Sequence, residues 1–156
     1  MGKVLAVCVS ARKGIRKQNV GQASFKTDFG IEKDAHAGNW HRQVSLLAWE
    51  SIEKMRAKGL AVNVGSFAEN VTTQGIDLPS LPIGRRLRVG PEVVLQITQL
   101  GKECHTRCAI YYLAGDCVMP KEGIFARVLR DGVVKTGDAV ETLDDAADLD
   151  PVLNSA

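Results

Sequence analysis

The apolar and polar positions divide the chain into one buried strand, a long polar region, one helix and a series of short strands. Residues 2–10 (GKVLAVCVS) form a nearly continuous apolar run, which is typical of a buried strand. Residues 11–42 are rich in glycine and polar side chains, and they predict a long loop region with one strand inside it. Loops of this length are usually functional.

The segment 44–59 (VSLLAWESIEKMRAKG) predicts the one clear helix. Leu47, Ser51 and Met55 recur at helical spacing, basic residues fill the last turn, and Gly59 stands where a C-cap is expected. Ser45 and Arg42 then fall at the helix entrance. There, Ser45 is expected to cap the helix and Arg42 to hold an anion such as a phosphate.

Short β-type segments follow this predicted helix. Residues 85–90 alternate, residues 93–100 form a second strand, and Asp131-Gly132 is a hairpin signal between two β-branched runs. Many short strands with a single helix predict a mostly β, barrel-like domain with a few helical insertions. Because no linker or repeat divides the chain, we expect one domain over residues 1–142, followed by an acidic tail over residues 143–156.

Composition narrows the protein class. Of the 156 residues 45% are hydrophobic, which suffices for a core without structural metals or disulfides. No apolar run approaches the roughly 20 residues that span a bilayer, and the N-terminus lacks a cleavage signal. We therefore expect a soluble cytoplasmic protein without membrane association. In that reducing compartment its four cysteines are expected to be thiols or metal ligands.

Charge is unevenly distributed although the net charge is only +2. Arg12, Lys13, Arg16 and Lys17 form a basic front, whereas the tail is acidic. The basic front is open to three interpretations: a solvated loop, a nucleic-acid patch, or a site for a phosphorylated small molecule. Nucleic acid is the least favoured partner, because few aromatic residues are interleaved for base stacking.

Three of the four cysteines fall within residues 98–117. Cys104 stands between Lys102 and Arg107, and this positive surrounding favours a thiolate, the form that binds soft metals and carries sulfur. If the segment is helical, Cys104 and Cys108 can reach one ion, and Cys117 with His105 or His36 can complete four ligands. Metal or cofactor binding, redox protection and packing remain open for these thiols. Cys8, inside the first strand, is predicted to be core.

Polar residues in two further stretches are candidates for a site. Asp34 and His36 lie in a turn flanked by glycines, and residues 66–73 (SFAENVTT) contain Glu69, Asn70 and Thr72. Buried polar groups of this kind must be hydrogen-bonded, either to a ligand or to the loops that they brace. Trp40 and His41 are assigned to loop packing.

Several separate blocks, in order and spacing, resemble the MOSC domain family. They are KDAHAG (33–38), RQVSLLAWE (42–50), GSFAENVTTQGIDL (65–78), LPIGRRLRVGPEVVLQITQ (81–99) and the cysteine at 104. The family includes the C-terminal domain of molybdenum cofactor sulfurases and compact stand-alone bacterial proteins, and the resemblance covers about residues 1–142. It implies a β-barrel and an association with the molybdenum cofactor, a pterin dithiolene that bears a phosphate. It also implies that Cys104 carries sulfur or ligates the metal.

The resemblance sets out a site and two main function classes. Cofactor binding is expected from Asp34, His36, Arg42, Ser45, Glu69, Asn70, Thr72 and Arg127, and metal binding from Cys104, Cys108, Cys117 and His105. The protein is then either an enzyme or carrier in the sulfuration or delivery of a molybdenum or tungsten cofactor, or a non-catalytic thiol-rich binding module. A reductase of N-hydroxylated compounds is a third reading. Because the chain has no flavin, nicotinamide or pyridoxal-phosphate motif, sulfur or electrons must come from a partner such as a cysteine desulfurase or a molybdoenzyme.

Overall fold

Seven strands close into a barrel, as the apolar runs predict. The computed structural model describes residues 1–101 and 122–143. In these residues there are one α-helix, α1 (Trp49–Ala57), a 3-10 turn (Leu78–Ser80) and eleven strands. The strands are β1 (Gly2–Val9), β2 (Gln18–Asn19), β3 (Gln22–Lys26), β4 (Gly30–Ile31), β5 (Val44–Ala48), β6 (Val71–Gln74), β7 (Arg86–Val89), β8 (Val93–Leu100), β9 (Ile124–Arg130), β10 (Gly132–Lys135) and β11 (Ala139–Leu143).

The barrel follows the order β11-β7-β8-β9-β5-β6-β1 and closes where β1 pairs with β11. Neighbouring strands are antiparallel except β5 and β6, which are parallel and are connected through α1. Alternate residues of each strand fill the interior, for example Leu87 and Val89 of β7 and Leu95 and Ile97 of β8. Among the described residues, no helix is long and apolar enough to cross a membrane.

The predicted helix over residues 44–59 is correct only in its second half. Residues 44–48 are strand β5, and the helix begins at Trp49. All five residues of β5 are buried, because one face points into the barrel and the other packs Leu47 against Ile52 and Met55 of α1. A strand covered on both faces reads as a continuous apolar run, which its sequence pattern does not distinguish from a buried helix.

Because α1 begins at Trp49, the predicted positions of Ser45 and Arg42 at the helix entrance are wrong. Ala48, not Ser45, occupies the N-cap position, and it makes no side-chain capping hydrogen bond. Ser45 lies inside β5, and Arg42 precedes that strand. Neither residue therefore interacts with the N-terminus of α1, and any anion held by Arg42 must be held without help from this helix.

The predicted hairpin at Asp131-Gly132 is also wrong. Strands β9 and β10 do not pair; β10 pairs instead with β3, in a second sheet of order β10-β3-β4. The carboxylate of Asp131 accepts hydrogen bonds from the backbone N–H and the hydroxyl of Thr27, at 2.5 and 2.6 Å, and these bonds lower its pKa. Asp131 thus connects the corner after β9 to the loop after β3.

The polar region 11–42 contains three short strands, β2, β3 and β4, where one was expected.

Candidate functional site

A buried ion pair lies at the centre of the loops that contain the candidate residues. The side chains of Lys17 and Asp34 have no solvent exposure, and the lysine Nζ lies 2.7 Å from the carboxylate Oδ1. The same Nζ donates to Ser10 Oγ at 2.9 Å and lies 3.1 Å from His36 Nδ1. Asp34 also accepts the backbone N–H groups of Ser10 and His36, each at 3.1 Å. Each charge of the pair is therefore surrounded by hydrogen-bond partners, as buried charges require.

The ammonium group of Lys17 determines the hydrogen-bonding state of His36. A lysine ammonium has three protons, and three acceptors lie around this one: Asp34, Ser10 and His36. Because lysine cannot accept a hydrogen bond, Nδ1 of His36 must be the acceptor. The neutral imidazole then carries its hydrogen on Nε2.

Trp40 extends this cluster toward the surface. Its indole N–H donates to the carbonyl of His36 at 2.7 Å, and the two rings are nearly parallel with centroids 6.4 Å apart. The Nζ of Lys13 lies 4.5 Å from the centre of the Trp40 ring, within cation–π range. The ring of His41 meets the Trp40 ring edge-on, with the two centroids 5.8 Å apart. Trp40 therefore connects the buried ion pair to His41 and the residues that follow it.

Arg42 lies beside the end of strand β8. Its Nε donates to Gln99 Oε1 at 3.0 Å, and His41 Nε2 lies 3.0 Å from the same oxygen. The amide of Gln99 in turn donates to the carbonyl of Gly101 at 2.8 Å. Gly101 is the last described residue before Cys104, so the loop containing His41 and Arg42 contacts the stretch of chain that leads to this cysteine. Cys104, His105, Cys108 and Cys117 themselves lie outside the described residues.

An enclosed network is formed by two hydrogen-bonded pairs, Ser45 with Asn70 and Glu69 with Thr72, which are joined because Glu69 and Asn70 are consecutive residues. Asn70 Oδ1 accepts the N–H and the hydroxyl of Ser45 at 2.9 and 3.1 Å, and its amide donates to the carbonyl of Cys8 at 3.0 Å. Glu69 accepts the hydroxyl of Thr72 at 2.7 Å. These contacts connect β1 and β5 to the residues before and within β6. A role of these residues in binding a cofactor stays a prediction.

Burial changes the acidity of two groups beside this network. Glu69 is completely buried, and loss of solvation raises its pKa although the N–H groups of Gly65 and Phe67 and the hydroxyl of Thr72 donate to it. The thiol of Cys8 is also buried. Mainly because of this burial, the pKa of the thiol is raised to about 12, so the thiol stays protonated. Cys8 is therefore a core residue, as its strand position predicts.

The raised pKa of Glu69 predicts a pH-dependent stability. The folded protein holds the Glu69 proton more tightly than the unfolded chain, whose carboxyl has its ordinary value of 4.5. Its contribution to the free energy of unfolding is therefore fully present below pH 4.5 and is lost as pH rises through the folded pKa.

Urea unfolding of the wild type and Glu69→Gln at pH 4 and pH 8 tests this expectation. The stability advantage of the wild type over Glu69→Gln should be larger at pH 4. Glu53→Gln, a change on the exposed face of α1, is the matched control and should alter the free energy of unfolding little. An advantage of Glu69 that grows toward pH 8 would contradict the assigned direction.

Arg127 lies at a surface cleft of about 500 Å³. Its Nε donates to Gln96 Oε1 at 3.1 Å, and its Nη1 lies 4.0 Å from Asp28. Trp40 and His41 line the same cleft, so it adjoins the cluster around His36. Arg42 is not part of its lining.

The structure thus divides the described site candidates among four places. Asp34 and His36 share the buried ion-pair cluster, Arg42 lies beside Gln99 at the end of β8, Arg127 lies at the cleft, and the enclosed network contains Ser45, Glu69, Asn70 and Thr72. The sequence analysis missed the burial of Lys17, because it grouped this residue with the basic front. It also assigned Trp40 and His41 to loop packing. No local pattern distinguishes Lys17 from its neighbours, because its partner Asp34 is seventeen positions away. Within residues 1–101 and 122–143, no three His, Cys, Asp or Glu side chains are grouped to hold a metal ion.

Comparisons with known proteins agree with this fold. The family model described as the MOSC domain matches residues 33–141. The YuaD protein from Bacillus subtilis is 23% identical with a TM-score of 0.74, and the alignment covers 91% of this chain and 96% of that one. YiiM from Geobacillus stearothermophilus is 19% identical with a TM-score of 0.69, over 92% of this chain and 76% of that one. YiiM from Escherichia coli is 19% identical with a TM-score of 0.64, over 92% and 71%. No curated protein matches the sequence.

Proposed function

Because the chain belongs to the MOSC domain family, we propose that it binds a molybdenum or tungsten cofactor and acts in its sulfuration, carriage or delivery. Membership of the family indicates a function related to the molybdenum cofactor. In the proposal Cys104 is the metal ligand or the carrier of a persulfide sulfur. A cysteine desulfurase or a molybdoenzyme is the proposed partner, and the cytoplasm is the proposed location.

The contact between Arg42 and Gln99 is the observation that supports this proposal most directly. The 3.0 Å hydrogen bond joins the loop containing Asp34, His36 and Trp40 to the end of β8, five residues before Cys104. A thiolate at Cys104 would extend from a chain segment that begins beside a permanent positive charge. Positive charge beside a cysteine favours the ionised thiol that soft metals and sulfur carriage require, and Lys102 and Arg107 flank Cys104 in the sequence.

The described residues fit the anionic part of the cofactor. Only Nε of the Arg42 guanidinium is hydrogen-bonded within the described part of the chain; Nη1 and Nη2 donate to no described residue. The guanidinium carbon lies 5.2 Å from the Phe125 ring centre, which helps to orient the group. A guanidinium held at one edge can offer its other N–H groups to a phosphate.

In this proposal the metal of the cofactor is bound by residues that lie outside the described ranges. We assign metal binding to Cys104, which matches the cysteine of the family pattern, with Cys108, Cys117 and His105 as further candidates from their spacing. When bound, the cofactor supplies a metal centre with affinity for sulfur ligands. His36 is not assigned as a ligand through Nδ1, since this atom already accepts from Lys17.

Metal and pterin analysis of the protein purified from a cofactor-producing host tests the proposal. We expect molybdenum or tungsten together with pterin fluorescence, each near one equivalent per chain. Zinc without pterin would contradict the proposal and favour a thiol-rich metal-binding module. If the loaded protein instead reduces N-hydroxylated compounds when an electron donor is added, the carrier role is replaced by the reductase role.

Arg42→Lys is expected to weaken cofactor binding without unfolding the protein. Lysine keeps the charge but loses the forked N–H groups, so the expected loss is about 1 to 3 kcal/mol, or roughly five- to 150-fold in affinity. Retention of pterin through dialysis and the melting temperature are measured together. Arg88→Lys is the matched control, because Arg88 pairs with Glu141 on the outer barrel surface, at 3.5 Å. If the melting temperature of Arg42→Lys falls and retention falls only in proportion, Arg42 braces the loop and is removed from the site.

A further inference from the structure

A second cleft, of about 570 Å³, opens where α1 ends. Arg16 and Arg56 contribute its charges, and the side chains of Leu60, Val62, Asn63 and Ser66 line the rest. It shares no lining residue with the cleft that contains Arg127. No acidic side chain contributes to its described lining, so the two guanidinium groups give it a positive charge.

Two contacts hold the guanidinium group of Arg56 in place. Its Nη1 donates to the carbonyl of Val62 at 2.9 Å, and its guanidinium carbon lies 5.7 Å from the centre of the Trp49 ring. The remaining N–H groups of Arg56 donate to no described residue. A guanidinium already ordered by one hydrogen bond and one aromatic contact loses less conformational entropy when it binds an anion.

The side chain of Arg16 lies at the cleft, while the neighbouring residue Lys17 makes the contacts that hold this part of the loop. The backbone N–H of Lys17 donates to the carbonyl of Gly65 at 2.9 Å, and the Lys17 side chain is buried against Asp34. These contacts fix the backbone beside Arg16. Among the described residues the guanidinium of Arg16 has no hydrogen bond or ion pair, and it lines the cleft.

Two neutral side chains add hydrogen-bond donors to the same cleft. Ser66 is 5% exposed, and its Oγ accepts the N–H of Asn63 at 2.8 Å, which leaves its hydroxyl proton without an acceptor in the described part of the chain. Asn63 Oδ1 accepts the N–H of Val64 at 2.8 Å, so its amide NH₂ remains to donate. A positive cleft whose side chains offer donors, and whose side-chain acceptors Ser66 Oγ and Asn63 Oδ1 already accept hydrogen bonds, is suited to an oxyanion.

We propose that this cleft binds a phosphorylated small organic molecule. Arg16, Arg56 and Ser66 would hold the phosphate, which can accept from all three because it has three terminal oxygens and up to two negative charges. The cleft is larger than a phosphate alone requires, and the apolar side chains of Leu60 and Ala61, which are not buried, offer a surface for the organic part. This site needs none of the cysteines and is independent of the proposed cofactor site.

Calorimetric titration with glycerol phosphate tests the assignment, with inorganic phosphate and acetate as comparison probes at constant ionic strength. We expect glycerol phosphate to bind more tightly than acetate, and Arg16→Gln to weaken its binding about tenfold, as expected for loss of a charge-assisted hydrogen bond. Arg12→Gln, which removes an exposed charge from the same basic front, should leave binding unchanged.

Three results would overturn the proposal: no binding of glycerol phosphate, equal weakening by Arg12→Gln and Arg16→Gln, or acetate binding as tightly as glycerol phosphate. The last result would make the cleft a carboxylate site. Cys104→Ser should bind glycerol phosphate like the wild type, which separates failure of this proposal from failure of the cofactor proposal.

Discussion

Cys104→Ser is expected to abolish retention of the cofactor while the protein remains folded. A serine hydroxyl is not ionised near neutral pH and is a harder ligand than a thiolate, so it neither binds a soft metal well nor carries a persulfide sulfur. The substitution should leave the purified protein with less than a tenth of the molybdenum or tungsten and pterin found in the wild type. Circular dichroism and the melting temperature, measured on the same preparations, report on folding.

Cys8→Ala is the matched control for this substitution. Cys8 is buried in β1 and its thiol stays protonated, because burial raises its pKa to about 12. Removing this thiol should cost about 1 kcal/mol of stability through lost packing and should not change the cofactor content per folded chain. A folded Cys104→Ser protein that retains wild-type metal and pterin would remove Cys104 from the proposed mechanism.

Lys17→Met is expected to lower the free energy of unfolding by about 3 to 5 kcal/mol, the range for breaking a buried ion pair from one side. Methionine fills much of the same volume but leaves the Asp34 carboxylate buried without its positive partner. Ser10 Oγ and His36 Nδ1 lose their donor at the same time. Urea unfolding at pH 7 measures the effect.

Lys26→Met makes the same chemical change at an exposed pair. Lys26 Nζ lies 4.0 Å from Glu32, and both side chains are about half exposed, so its loss should cost less than about 1 kcal/mol. The double variant Lys17→Met/Asp34→Asn should recover part of the lost stability, because its buried amide carries no charge. If Lys17→Met stays within about 1 kcal/mol of the wild type, the ion pair is not a determinant of stability.

The period of the apolar positions was sufficient to predict several strands of the barrel. Strands β1, β7 and β8 occur where the apolar runs place them, because strands at a barrel wall need a buried inner face whatever their partners are. The blocks from KDAHAG to VVLQITQ likewise identified the family, since they preserve order and spacing along most of the chain. The position of Cys8 in a β-branched strand was sufficient to place it in the core.

Only the tertiary structure decided which strand pairs with which, and which charges are buried. Residues 44–48 extend as β5 because β6 and β9 pair with them, and β10 pairs with β3 instead of β9. These pairing strands are distant in sequence and leave no periodic signal. The burial of Lys17 also leaves no signal in the sequence, because the residues around it, Arg12, Lys13 and Arg16, are those of an exposed basic loop. It is buried because folding brings Asp34, Ser10 and His36 around its ammonium group, and this compensation for desolvation exists only in the folded chain.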